Sequence, residues 1–359
     1  MIFYYLIAFS FFIFSLFTVK PFNGKYRTLF VYLIFLILVV IIGFRWKMAT
    51  DWEPYFNNFD NYSFDNDNFE IGYKIVTFLI HSFTSDYSIF LLLYTFVYLF
   101  IFYLALSKIK LLNIFTLLLY FSLTLGLWGS HRQLMSISIS FYSLYFLFNN
   151  RNLNFLLLIF AATLFHYSAL FCLFFYIIKI DIPKPFYLII ILVLTLFGTL
   201  VSDFLLNNIF SKNELLSFDK FLIYLDGVSN VEIKPSFIGL VKRIVLFLFF
   251  YYFSFRISNK SYFHYYLKIY FFGIIVYFIF KDTMPILINR GSLYFNLMEI
   301  FMIPIILYEC KDAIKYFLFS FIIFIYSLVM INQSIINYKD LFVPYQSKFF
   351  NYTYTRFLY

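Results

Sequence analysis

Apolar runs of about 16 to 20 residues recur along almost the whole chain, and each approaches the length that crosses a bilayer core as a helix. In lipid a backbone amide has no water to bond, so a spanning segment must close its hydrogen bonds internally. Charged residues make up only 13% of the chain and hydrophobic ones 63%, with a mean hydropathy of +0.86. Soluble domains carry roughly 25% charge. Water is therefore excluded as the main solvent, and the expected fold is all-α: a polytopic integral membrane protein with one transmembrane domain over 1–359.

The runs place spans near 2–19, 28–43, 87–106, 111–129, 133–148 and 153–165, then 167–180, 186–202, 237–255, 265–280, 291–308 and 313–331. About twelve transmembrane helices follow, or ten with a re-entrant pair of half-helices on either side of His166. The first run lacks a basic flank and a small-residue cleavage site, so it is expected to stay as a span. The two cysteines, Cys172 and Cys310, argue against a disulfide framework.

The net charge of +9 does not imply nucleic acid, because Lys and Arg are scattered between spans without forming a run. Their positions report topology instead. Lys20, Lys25 and Arg27, then Lys108 and Lys110, Arg151, Lys179 and Lys184, Arg256 and Lys260, and Lys311 and Lys315 fall in alternate short loops. Positive charge near span ends resists translocation, which assigns those loops to the cytoplasm. Three longer segments, 44–86, 203–236 and 332–359, then face outward, and 70–83 is expected to lie along the interface as a helix.

Once the spans are drawn, polar residues near their ends gather on the outward side. Arg45 and Lys47 follow the second span, Asp51, Glu53 and Glu70 come next, Arg132 opens the fifth, His166 sits at a turn and Arg290 precedes the eleventh. Charge at membrane depth costs at least a few kcal/mol, so it is paired or faces a polar cavity. Single arginines snorkel to headgroups. Three together fit a diphosphate clamp, since guanidinium binds phosphate oxygens bidentately and keeps its charge.

Asn289, Ser292, Asn296 and Glu299 share one helical face, where Glu299 either pairs with a buried base or lines the substrate cavity. Arg132, Ser136 and Ser140 form a second stripe, whose serines suit helix packing. Asp65 and Asp67 form an Asp-x-Asp pair of the kind that holds hard cations, but the Asn-rich surroundings favour a solvated turn. No metal or cofactor is expected.

These positions in order resemble bacterial polysaccharide polymerases of the O-antigen polymerase (Wzy) and EpsG type. The resemblance rests on RWKMATDWEPY from Arg45, with Ala49 where the family has glycine, and on FEIGY at 69–73 and RQLM from Arg132. FHYSAL at 165–170, RGSLYF with Arg290 and Tyr294, and VPYQSKF with Pro344 and Tyr345 complete it. It implies a GT-C-like glycosyltransferase of the bacterial inner membrane, acting on undecaprenyl-diphosphate-linked glycan donor and acceptor at the outer leaflet, with a chain-length regulator as an open partner. Arg45, Arg132 and Arg290, joined by His166, would neutralise the leaving diphosphate, and Asp51 or Glu70, Asp51 ahead, would take the acceptor proton. Glu53, Tyr55, Glu299 and Tyr345 would line the cavity. A lipid-linked oligosaccharide flippase and an O-antigen ligase are the competing readings; a transporter should show repeated halves or interrupted helices.

Overall fold

The computed structural model describes residues 1–17, 24–62, 69–205, 237–258, 262–283, 288, 290–336 and 338–355. Among them the regular elements are all helical, and a β-bridge joins Arg45 to Ser347. The expected Asp65–Asp67 pair, Asn289 and most of the 203–236 segment lie outside the described residues.

The helices are α1 (Ile2–Phe17), α2 (Gly24–Gly43), α3 (Trp52–Asp60), α4 (Ile71–His81), α5 (Tyr87–Lys108), α6 (Ile114–Thr124), α7 (His131–Phe148) and α8 (Asn152–Thr163). A 3₁₀ segment at Tyr167–Lys179 leads to α9 (Lys184–Leu205), α10 (Phe237–Phe253), α11 (Phe263–Phe280), α12 (Leu293–Asn296) and α13 (Glu299–Glu309). The chain ends in α14 (Ala313–Ile336) and α15 (Lys339–Phe342). Four of them, α5, α9, α11 and α14, are long and apolar enough to cross a membrane by length and composition, and shorter apolar helices accompany them. Their exteriors suit lipid: Leu192, Leu196 and Leu200 on α9 are 63 to 67% exposed, as are Ile314, Phe317 and Leu318 on α14 at 51 to 71%.

Local chemistry sets the ends. Asp86 accepts from the Ser88 amide (2.8 Å) to start α5, and Asn113 accepts from the Thr116 amide (2.9 Å) to start α6. Two expected spans differ from plain helices. The run at 167–180 winds as 3₁₀ helix over 13 residues, which at about 2.0 Å per residue is longer than the α form. The run at 291–308 breaks between α12 and α13. There Ser292 Oγ donates to the Ile288 carbonyl and Asn296 Nδ2 to Ser292 Oγ (3.1 Å), side-chain bonds that compete with a regular ladder.

Two compact units result, Met1–Leu170 with Ile303–Tyr359, and Phe171–Met302. In the first, α7 is buried nearly all round and packs on α5 and α8. Ser136, Ser138, Ser140 and Ser143 are fully buried on it, small residues that let helices approach closely. In the second, α9 crosses α11 so closely that a Cβ on Gly198 would lie 2.3 Å from the Phe278 carbonyl oxygen. Ala is normally the better helix former by about 1 kcal/mol. Backbone cannot yield as a side chain can, so Gly198→Ala is expected to lower the unfolding free energy in detergent by about 2 kcal/mol. A melting temperature at or above the parent's would contradict the close crossing.

Candidate active site

The site is built in the first unit, where the loop after α2 is folded against the chain's tail. The Trp46 amide donates to the Gln346 carbonyl (2.9 Å) and the Ala49 amide to the Leu341 carbonyl (3.1 Å). Gln346 Nε2 in turn donates to the carbonyls of Tyr352 (3.1 Å) and Tyr354 (2.9 Å). Lys348 Nζ reaches both Asp86 oxygens at 2.6 and 2.8 Å. Burial raises the Asp86 pKa, but the hydrogen bonds from Lys348 and Ser88 outweigh it and leave the carboxyl below its usual range. Lys47 and Ala49 have φ of 46° and 70°. An L-residue in that region costs roughly 1–2 kcal/mol, which accounts for the glycine that the resembled motif carries where this chain has Ala49.

This folded loop delivers Asp51 to the start of α7. A Cβ on Gly129 would lie 2.7 Å from Thr50 Oγ1 and 3.0 Å from the Asp51 amide, so glycine is what allows the approach. Ser130 Oγ donates to Asp51 Oδ2 at 2.8 Å. Both residues stand at the N-cap positions of their helices, yet neither side chain caps. Asp51 therefore neither caps α3 nor pairs with Arg45; its carboxylate is held by a hydroxyl and stays partly exposed.

Arg132, the second residue of α7, pairs with Glu70. Its Nε donates to the Tyr55 hydroxyl at 2.7 Å, and its guanidinium carbon lies 4.7 Å from the Phe69 ring centre, 5.2 Å from that of Tyr55 and 5.8 Å from that of Tyr73. The planar cation thus sits in an aromatic cage with a carboxylate at one side. Burial pushes the Tyr55 hydroxyl up to about 12, although Arg132 pulls the other way, so Tyr55 is a neutral phenol at physiological pH. Gly72 lets α4 carry Glu70 into place: its amide donates to the Leu164 carbonyl at 2.7 Å, and a Cβ there would meet the same oxygen.

Asp51, Tyr55 and Arg132 open onto a cleft of about 620 Å³ whose remaining walls include Pro54, Asn57, Asn61 and Phe69. The other expected residues are placed elsewhere. Arg45 is 2% exposed, with Nη1 donating to the Ile42 carbonyl at 2.6 Å. Burial lowers its pKa, and the nearby hydroxyls of Tyr98, Tyr87 and Tyr345 act in the opposite sense. Tyr345 donates to the Ile41 carbonyl (2.8 Å) and stacks on Phe3. His166 Nδ1 lies 2.6 Å from Ser168 Oγ and accepts from the Ser168 amide, closing the turn between α8 and the 3₁₀ segment. Glu53 is exposed on α3.

Arg290 and Glu299 belong to the second unit, where Arg290 is exposed. Glu299 is 1% exposed and bonds Lys242 (3.2 Å) and the Tyr270 hydroxyl (3.2 Å), the structural pairing of the two roles its sequence position allows. Sequence reasoning missed Ser130, His131 and Lys242. Ser130 carried a signal, since a serine preceding a helix marks an N-cap, but that signal points to capping and not to Asp51. His131, 1% exposed, packs against the Tyr55 ring with centres 4.0 Å apart and planes tilted by 46°. Among the described residues no cluster of His, Cys, Asp or Glu could hold a metal ion.

Residues 28–347 match the model of the EpsG family, which takes in every cleft residue named above. No curated protein and no solved structure matches the chain.

Removing the carboxylate from the Arg132 pair leaves a largely buried charge short of its counter-ion. Glu70→Gln is expected to lower the unfolding free energy in detergent by about 3 kcal/mol, whereas Glu53→Gln, on an exposed position, shifts it by less than about 0.5 kcal/mol. Equal melting of the two variants would contradict the organising role of the pair.

Proposed function

Because the chain belongs to the EpsG family, we propose that it is a membrane glycosyltransferase that polymerises undecaprenyl-diphosphate-linked oligosaccharide repeat units into a surface polysaccharide. The family carries the coarser statement, a membrane protein of polysaccharide biosynthesis. The observation that carries the finer one is Asp51, fixed by Ser130 beside Arg132 in one cleft. In this reading the fold is GT-C-like, with about twelve spans in the inner membrane and the cleft facing the outer leaflet, as the basic short loops indicate.

The transfer runs between two lipid-linked glycans. Asp51 takes the proton of the acceptor sugar hydroxyl as its oxygen bonds to the anomeric carbon of the donor chain. The bond from that carbon to the diphosphate oxygen breaks, its electron pair leaves on undecaprenyl diphosphate, and the proton on Asp51 passes to solvent. Charge then develops on the leaving oxygen. Arg132 is the cation among the described lining residues, and it meets that charge by exchanging part of its contact with Glu70 for phosphate oxygens. Tyr55 and the aromatic cage keep the guanidinium in place during the exchange. Asp51 is a better base than Glu70 here, because Glu70 is committed to Arg132 while Asp51 is held by a neutral donor. Arg45, in the same unit, adds the field of a buried charge to the proposed diphosphate site.

Deleting the gene in a polysaccharide-producing host is expected to leave surface material carrying single repeat units; loss of all surface glycan with units trapped inside would indicate a flippase instead. Complementation separates the site. Asp51→Asn at normal expression should reduce long chains by at least about 100-fold, and long chains at parental level would remove Asp51 from the reaction.

A further inference from the structure

The cleft is not uniform along its length. Asp51 precedes α3, Tyr55 lies in its second turn, and Asn57, Asn58 and Asn61 follow at the far end. At about 1.5 Å per residue the ten positions from Asp51 to Asn61 cover roughly 15 Å of cleft wall. Among the described lining residues, charge is confined to one end. Arg132 is the cation among the described lining residues, it is paired with Glu70, and Asp51 stands beside it. The other end presents carboxamides, while Phe69, whose ring centre lies 4.7 Å from the Arg132 guanidinium carbon, and Pro54 add apolar surface nearer the charged end.

Carboxamides both donate and accept, so they match sugar hydroxyls, which do the same. An aromatic edge and a proline ring suit the C–H face of a pyranose. A carboxylate or phosphate on the sugar would meet no cation among the described residues of this wall and would lie toward Asp51, at a cost that the amides cannot offset. We propose that the Asn57–Asn61 wall is a glycan subsite selective for uncharged sugars. It runs outward from Asp51, so the repeat unit presented there carries neutral residues next to the hydroxyl that reacts. The proposal rests on the polymerase reading for its biological meaning, but the binding it describes does not require catalysis.

The test uses the full chain in nanodiscs, with maltotriose and trigalacturonate as neutral and acidic trisaccharide probes, read by saturation-transfer NMR titration. Maltotriose is expected to bind at least about tenfold more tightly than trigalacturonate at low salt, the factor that corresponds to 1.4 kcal/mol. Asn57→Ala with Asn61→Ala should weaken maltotriose about tenfold, as the loss of two neutral hydrogen bonds predicts. Asn61→Lys should narrow or reverse the preference. Both substituted positions are exposed, and an unchanged melting temperature verifies that each variant is folded. Equal or tighter binding of the acidic probe, no contact with either probe, or maltotriose binding unaffected by the Asn substitutions overturns the subsite. The host phenotype is read separately: a flippase pattern on gene deletion would end the polymerase reading and leave a neutral-glycan subsite standing, whereas normal polymerisation with no amide dependence would do the reverse.

Discussion

The ion pair between Arg132 and Glu70 is the contact on which the site depends, because it ties the start of α7, a helix buried nearly all round, to the head of α4. A guanidinium so placed has lost most of its water, and a carboxylate alone would hold it in many orientations. Three aromatic rings and the Tyr55 hydroxyl remove that freedom. Tyr55 itself packs against the His131 ring. The first loop, α4 and α7 therefore meet at one cation, and the cleft is the space left in front of it.

A second constraint comes from the far end of the chain. Residues 341–354 are bonded to the loop that carries Asp51 through backbone bonds at Trp46 and Ala49, while Lys348 ties the tail to Asp86 at the head of α5 and Gln346 ties it to itself. This explains why a loop with two L-residues at positive φ keeps one shape: the surrounding bonds over-determine it. The geometry of the cleft near the N-terminal helices thus depends on residues more than 290 positions away in sequence.

The helices were legible because lipid allows little else, and apolar run length is a sufficient signal for them. α4 was legible as a helix from its apolar spacing. α3 was not: Trp52–Asp60 contains Pro54 and adjacent asparagines, poor helix formers, and it stands because Pro54 falls in the first turn, where no amide bond is lost. The Ser130–Asp51 bond joins residues 79 apart, and no periodicity reports such a pairing. Likewise Glu299 was conspicuous as an acid at membrane depth, while its partner Lys242 looked like one more basic residue near a span end. The break at 297–298 goes with the Ser292 and Asn296 side-chain bonds, which composition does not record. Charged residue types were thus read more easily than the neutral donors that position them.

The central claim is that a glycan occupies the cleft walled by α3. Site-specific photo-crosslinking in a polysaccharide-producing host tests it most directly, with the photoreactive residue benzoylphenylalanine replacing Asn57 and, as a control, exposed Leu192 on α9. The account predicts that irradiation yields a protein adduct carrying lipid-linked glycan from the Asn57 position and none from Leu192. Glycan-free protein at Asn57, or equal labelling at both positions, would contradict it.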